Sequence, residues 1–499
     1  MIRKLRPALL LPDIGGLFAL ITFIVLCLFS AGRALNDGDT FWHIAAGQRM
    51  LADRIILTSD VFSHTAAGKA WTAHEWLAEI VMAAVHSFSG LPGVCIFFFL
   101  ITSLSFWLLY IVTQKESSGW FAFIFVTLAF VLSFNHLLAR PHIFTWFLGG
   151  LTFFTLRKQG KILFILPFIS ALWANLHGGF ILGLVLQGIF IASNYFEYNF
   201  SLNLCSLKKW TIEQKIPICV FLLSIGAVGI NPFGLSLYLF PFQVSSNVFA
   251  QGINEWLSPD FQKQWLFRLF LLFSIFLLSQ RNISTTWRDR FFLLFFINAA
   301  LVHQRHISIA AFYLTPFLAK ATQIWTAPII SSTTCKREIS QRQLILSKWT
   351  GPIGAIILSI LFLFLSSPLS PRTKTFFEKI NPVSRNRFPV DAVNFLEKKR
   401  PKGNIFNQYS WGGYIIYALT PPQPVFIDGR ADMYGEKIFK NYQSIVNLDS
   451  SIDELLKEYE IDWIFYPLDS KLIRHLKSTG QWIEVYSDDL AAILKRAEL

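Results

Sequence analysis

Charge is what this sequence has least of. Lys, Arg, Asp and Glu make up 15% of its 499 residues, against about a quarter in soluble globular domains. With 53% hydrophobic residues, including 51 phenylalanines, an ordinary soluble protein is excluded and lipid is the expected main solvent. Cysteine is also sparse. The five present, Cys27, Cys95, Cys205, Cys219 and Cys335, form no C-x-x-C pair, and none lies in 371–499, which argues against a disulfide framework or a structural zinc site. No P-loop, Rossmann fingerprint, H-E-x-x-H or G-x-S-x-G pattern occurs. The net charge of +13 sits mostly in short loops between apolar runs, as the positive-inside rule writes orientation, so no nucleic-acid partner is needed to explain it.

Apolar runs are abundant, and several reach the roughly 17–25 residues that cross about 30 Å of hydrocarbon. They predict about eleven spans, near 14–33, 91–113, 119–134, 143–156, 162–176, 178–194, 216–230, 264–280, 290–302, 305–321 and 351–369. Arg3, Lys4 and Arg6 precede the first, which is of spanning length and reads as an uncleaved anchor rather than a signal peptide. The stretch 75–89 is shorter and is followed by Gly90-Leu91-Pro92-Gly93, which predicts a re-entrant or interfacial helix on the outer side. That choice leaves the basic clusters Arg157/Lys158/Lys161, Lys208/Lys209/Lys215, Arg281/Arg288/Arg290 and Lys336/Arg337/Arg342/Lys348 on the cytoplasmic side. The expected location is therefore an inner membrane, with the N-terminus cytoplasmic and residues 371–499 extracytoplasmic.

The chain divides into a transmembrane part, 1–370, whose first outer loop is 34–74, and a soluble part, 371–499. In the latter, helices are expected at 389–399, 413–419, 452–459 and 471–478, and strands at 404–406, 425–427, 463–466, 482–486 and 491–494. This alternation predicts a small α/β domain with a partly parallel sheet.

With this topology the polar motifs fall on one side of the membrane, and they hold seven of the ten histidines. Ionisable groups at span ends are costly unless they meet water or one another, so a shared cavity is the expectation. Asp37 and Asp39 follow the first span and suit a general base or a divalent cation, Mg or Mn, although Asp39 also suits a helix N-cap. His43 reads equally as a ligand-binding group or a structural hydrogen-bonding one. Glu75 and Glu255, each followed by tryptophan, are candidate second carboxylates in a substrate site. Arg140 and Arg305, the latter between His303 and His306, suit a phosphate; lipid-headgroup snorkelling is the alternative. His177 opens a Gly178-Gly179 turn that reads equally as a helical hairpin. Asp428-Gly429-Arg430 reads as a ligand loop or as a turn held by local Asp–Arg pairing.

Taken together, Asp37-Gly38-Asp39-Thr40-Phe41-Trp42-His43, His74-Glu75-Trp76, Arg140-Pro141, Trp173 to Gly179, Asn231-Pro232, Arg305-His306, Asn407 to Tyr414 and Asp428-Gly429-Arg430 resemble bacterial polytopic GT-C-type glycosyltransferase-like proteins over nearly the whole chain. The resemblance implies an α-helical polytopic membrane fold with an extracytoplasmic C-terminal domain. It implies a polyprenyl-phosphate-linked sugar as donor, a glycan, lipid or protein acceptor, and Asp37 and Asp39 in the catalytic acid positions. A glycine separates these acids, where protein mannosyltransferases and lipid A aminoarabinose transferases usually carry them adjacent. A non-catalytic envelope scaffold and a lipid or solute transporter are the competing functional readings.

Overall fold

A computed structural model describes residues 12–200, 212–245, 254–330, 341–367, 370, 383–419 and 423–497. The expected basic residues Arg3, Lys4, Arg6, Lys208, Lys209, Lys336 and Arg337 lie outside the described residues. The helical part runs α1 (Ile14–Phe29), α2 (Ala31–Ala34), α3 (Asp39–Asp53), α4 (Trp76–Gln114), α5 (Gly119–Leu132), α6 (His142–Lys158), α7 (Leu166–Leu176), α8 (Phe180–Phe200), α9 (Ile212–Val228), α10 (Phe240–Ser245), α11 (Trp265–Leu278), α12 (Trp287–Val302), α13 (Ile307–Ile330) and α14 (Gln341–Ser366).

Each of the eleven apolar runs falls on a helix, but helix lengths separate them. Among the described residues three helices are long and apolar enough to cross a membrane: Trp76–Gln114, Phe180–Tyr198 and Trp349–Ser366. Five shorter apolar helices accompany them, including Ile14–Phe29 and Gly119–Leu132. At about 1.5 Å per residue, a 14-residue helix such as α5 covers only about 21 Å. The count of eleven thus goes beyond what helix length alone supports.

The separate helix expected over 75–89 is present as the first half of the 39-residue α4, set off from the second half by a break at Gly90. Gly90 takes φ 62° and ψ −163°, a left-handed break open to glycine, and the helix resumes at once, with Pro92 in its first new turn. The first half of α4 packs on α3 at Gly47, where a Cβ would overlap the carbonyl of Glu79. That close approach brings His43 of α3 against Glu79 of α4.

The C-terminal part carries a four-stranded sheet, β1 (Asn404–Asn407), β2 (Ile461–Pro467), β3 (Trp482–Ser487) and β4 (Ala491–Arg496), in the order β1-β2-β4-β3. β1 and β2 are parallel; β4 is antiparallel to both β2 and β3. Ile464 and Phe465 of β2 are fully buried, as a central strand covered on both faces requires. The strand expected at 425–427 does not join the ladder. Val425 instead makes a single parallel bridge to Ser63 of the loop between α3 and α4, and Val425 N–H donates to Phe62 O at 3.0 Å. A helix at Ala431–Asn447, kinked at Gly435, occupies a stretch left unassigned from the sequence.

Candidate active site

The acid pair is built by local geometry. The Asp39 N–H donates to Asp37 Oδ1 at 2.9 Å, a turn that aims both carboxylates the same way. Arg140 then grips them with its fork, Nη1 to Asp37 Oδ2 at 2.8 Å and Nη2 to Asp39 Oδ2 at 2.7 Å. Trp42 Nε1–H donates to Asp39 Oδ1 at 3.0 Å. Arg140 is itself placed by the Ala139 N–H, which donates to Ala34 O at 2.9 Å and pins its loop to the end of α2.

The two acids are pushed apart in acidity. Burial alone would raise both. For Asp37 the Arg140 charge and the Asp39 N–H outweigh it, and the carboxyl is held below its usual value. For Asp39, burial and the Asp37 charge win over Arg140, and the carboxyl rises to about 7.

The glycine between them is explained by packing, not by conformation. Gly38 has an ordinary helical φ of −60°, but a Cβ there would overlap the Ser410 carbonyl of the C-terminal domain. A Cβ on Gly413 would overlap Gly38 O, and one on Gly429 would overlap Asp39 Oδ1. Three glycines thus let the domain's backbone touch the acid loop.

Glu75 lies at the start of α4 in a cage of imidazoles. His43 Nε2 approaches Oε2 at 3.4 Å, while His177 Nε2 and His74 Nε2 approach Oε1 at 3.4 and 3.5 Å. His177 has a readable tautomer. Its Nδ1 accepts the Gly179 N–H at 2.9 Å and lies 2.8 Å from the Thr145 hydroxyl, which itself accepts from Trp173 Nε1 at 3.0 Å. The proton is therefore on Nε2, facing Glu75. Burial pushes His43 down to about 3 and His177 to about 4, so both are neutral rings at neutral pH. Burial opposes the Glu75 anion, but His74, His177 and His43 overcome it and hold the carboxyl well below its usual range.

A different wall is cationic. Arg305 stacks on the Trp256 ring at 4.4 Å and forms no ion pair among the described residues. The Gln304 N–H donates to Leu257 O at 2.9 Å, holding this turn against the segment that carries Glu255.

All ten residues singled out from the sequence line one cavity of about 900 Å³: Asp37, Asp39, His43, Glu75, Arg140, His177, Glu255, His303, Arg305 and His306. The C-terminal domain closes part of it with Tyr409, Ser410, Gly413, Gly429 and Asp432, and an apolar stretch is formed by Ile181, Leu182, Val185, Phe242, Phe295 and Ile309. Sequence reasoning missed Glu79 and Tyr409 as cavity residues, whereas Trp256 lay in the polar motifs and Asp432 in the possible ligand loop. Glu79 carried a signal, because it lies one helical turn beyond Glu75.

The expected divalent cation does not fit these residues. Both acids of the pair are already ion-paired to Arg140, and the Nε2 proton of His177 faces Glu75 where a metal would need a lone pair. Among the described residues no group of three or more His, Cys, Asp or Glu side chains is arranged to hold an ion. Asp428-Gly429-Arg430 serves architecture: Arg430, 1% exposed, grips Asp428 with Nε at 2.9 Å and Nη2 at 2.6 Å, and reaches Asp60 of the first loop at 2.7 Å.

The chain is thus a helical protein whose polar cavity is closed by a small α/β domain. No family model matches it, and no curated protein matches it. Among solved structures it is similar to the oligosaccharyltransferase of Archaeoglobus fulgidus in complex with zinc and sulfate, at 12% identity and TM-score 0.45, over 91% of this chain and 68% of that one. It is also similar to the archaeal oligosaccharyltransferase AglB of the same organism in complex with an inhibitory peptide and a dolichol-phosphate. The identity there is 11% and the TM-score 0.46, over 91% of this chain and 69% of that one.

Proposed function

We propose that this protein is a glycosyltransferase moving a sugar from a polyprenyl-phosphate donor to a hydroxyl of an envelope glycan, lipid or protein. The reaction would take place at the outer face of a bacterial inner membrane, with the C-terminal domain on that side. The observation that carries this reading is the split acid pair in a cavity that also holds an apolar stretch and a guanidinium with no ion pair among the described residues. Asp39, raised to about 7, can take the acceptor's proton as its oxygen attacks the anomeric carbon. The bond from that carbon to the phosphate oxygen breaks, and the phosphate leaves with inversion at the sugar. Arg305 is the better phosphate partner, because Arg140 is committed to Asp37 and Asp39. The apolar stretch suits the first isoprene units of the donor.

The test is the envelope glycan and glycolipid profile of membranes carrying Asp37→Asn, Asp39→Asn or Arg305→Ala. All three variants are expected to lose a product at normal expression. A wild-type profile in both aspartate variants removes the proposal.

A further inference from the structure

Three groups at the inner end of the cavity are not used by this chemistry. His43 Nδ1 lies 3.1 Å from Glu79 Oε1, and its Nε2 lies 3.4 Å from Glu75 Oε2. His43 and Glu79 are each 1% exposed at the side chain, and Glu75 is 11% exposed. One imidazole therefore stands between two carboxylates, with a carboxylate oxygen facing each ring nitrogen.

Proton counting limits what such an arrangement can hold. A neutral imidazole carries one N–H, and its other nitrogen presents a lone pair. Were both carboxylates ionised around a neutral ring, one oxygen would face that lone pair with no hydrogen between them. Two contacts require two protons. Either the ring is a cation, or one carboxyl is protonated.

Burial keeps His43 neutral, so the second proton belongs to a carboxyl. Glu75 has two further imidazole partners, His74 and His177, which favour its anion. Glu79 has none of these, and its Oε2 is buried without a hydrogen-bond partner. An unpartnered oxygen is far less costly on a neutral carboxyl than on a carboxylate. Other titratable or charged groups acting on the trio are Asp37, Arg140, Arg305, Arg430 and Asp432.

We infer that Glu75, His43 and Glu79 form a proton-swapping relay, with Glu75 the cavity-facing acid–base group and Glu79 the store. At rest Glu79 O–H donates to His43 Nδ1, and the Nε2–H of His43 faces the Glu75 anion across 3.4 Å. Moving each proton one step gives a neutral Glu75, the opposite His43 tautomer and an ionised Glu79. The trio keeps two protons and one net negative charge throughout. Glu75 can thus accept a proton from a substrate hydroxyl in one state, the trio then holding three, or donate one in the other, the trio then holding one, and the resting count returns when a proton passes the opposite way between Glu75 and the cavity. His43 and Glu79 are positioning residues that set the charge of Glu75. This extends the glycosyl-transfer reading but does not need a sugar donor to be tested.

The experiment is light-minus-heavy-water difference infrared spectroscopy of the full chain in lipid nanodiscs, recorded at a series of pH values. Asp39→Asn serves as background, to remove the carboxyl that titrates near 7. A protonated-carboxyl band is expected to persist well above neutrality and to shift in heavy water. It is expected to vanish in Glu79→Gln and to survive in Glu75→Gln. Its absence from the parent protein overturns the relay, and that arm holds even if a variant does not fold. A band that survives Glu79→Gln in a folded protein also overturns it. Because no turnover is read, failure here leaves the glycan assay to decide the transfer reaction by itself.

Discussion

Two aspartates one residue apart share an arginine and still differ in acidity, because only one of them pays for the other's charge. Asp37 takes the Asp39 N–H and stays ionised, and its charge then helps push Asp39 up to about 7. The base form of Asp39 grows as pH rises through that value, so the transfer rate is expected to climb across neutrality. In Asp37→Asn the neighbouring negative charge is gone and Arg140 has one ionised partner. The midpoint of any residual rate should therefore move to lower pH. Initial rates of glycolipid formation across pH check both statements, and a profile flat through neutrality in the parent protein would count against Asp39 as base. At this scale the sequence was informative where it placed two acids, and silent on why glycine stands between them. The reason lies at Ser410, too distant in sequence for any local pattern to show.

Among elements, the loop from α3 to α4 is held less by its own structure than by the C-terminal domain. Arg430 joins Asp428 to Asp60, with the Phe62 and Trp71 rings 5.1 and 4.8 Å from its guanidinium. Removing it leaves two buried carboxylates without their cation, which costs roughly 3–5 kcal/mol for a buried pair broken on one side. Arg430→Met is expected to lower the thermal unfolding midpoint and open residues 54–75 to protease. Lys437→Met, at an exposed pair with Glu458, should change neither. Apolar runs made the helices legible, because each run is a continuous stretch of one period. The strand expected at 425–427 joins no ladder because Val425 pairs with the first loop, while Phe426 packs on Phe406, Tyr442 and Tyr459 of its own domain. The helix Ala431–Asn447 was overlooked because its first turn resembles a polar turn and Gly435 interrupts its face.

For the whole molecule, the cavity is a joint product of segments scattered from residue 37 to residue 432. The polar residues could be gathered from the sequence because they cluster at the ends of apolar runs. What no run could reveal is that the α/β domain forms part of the same wall. Removing residues 383–499 is therefore expected to abolish product formation and to make 37–75 protease-sensitive, while the helices around α4 keep their helical signal by circular dichroism. Retention of activity by the truncated chain would show that the domain only covers the site.

The contact of Gly38 and Asp39 with Ser410, Gly413 and Gly429 also sets a timetable. Ribosomes add about 5–20 residues per second, so roughly 20–75 s separate the emergence of the acid loop from that of the segment which seats it. Once Arg140 has emerged, the aspartates have their cation within reach but no wall behind them. A nascent chain therefore carries its early helices for most of that time without a finished cavity, and a ribosome stalled before residue 410 leaves a chain whose acid loop lacks its C-terminal wall.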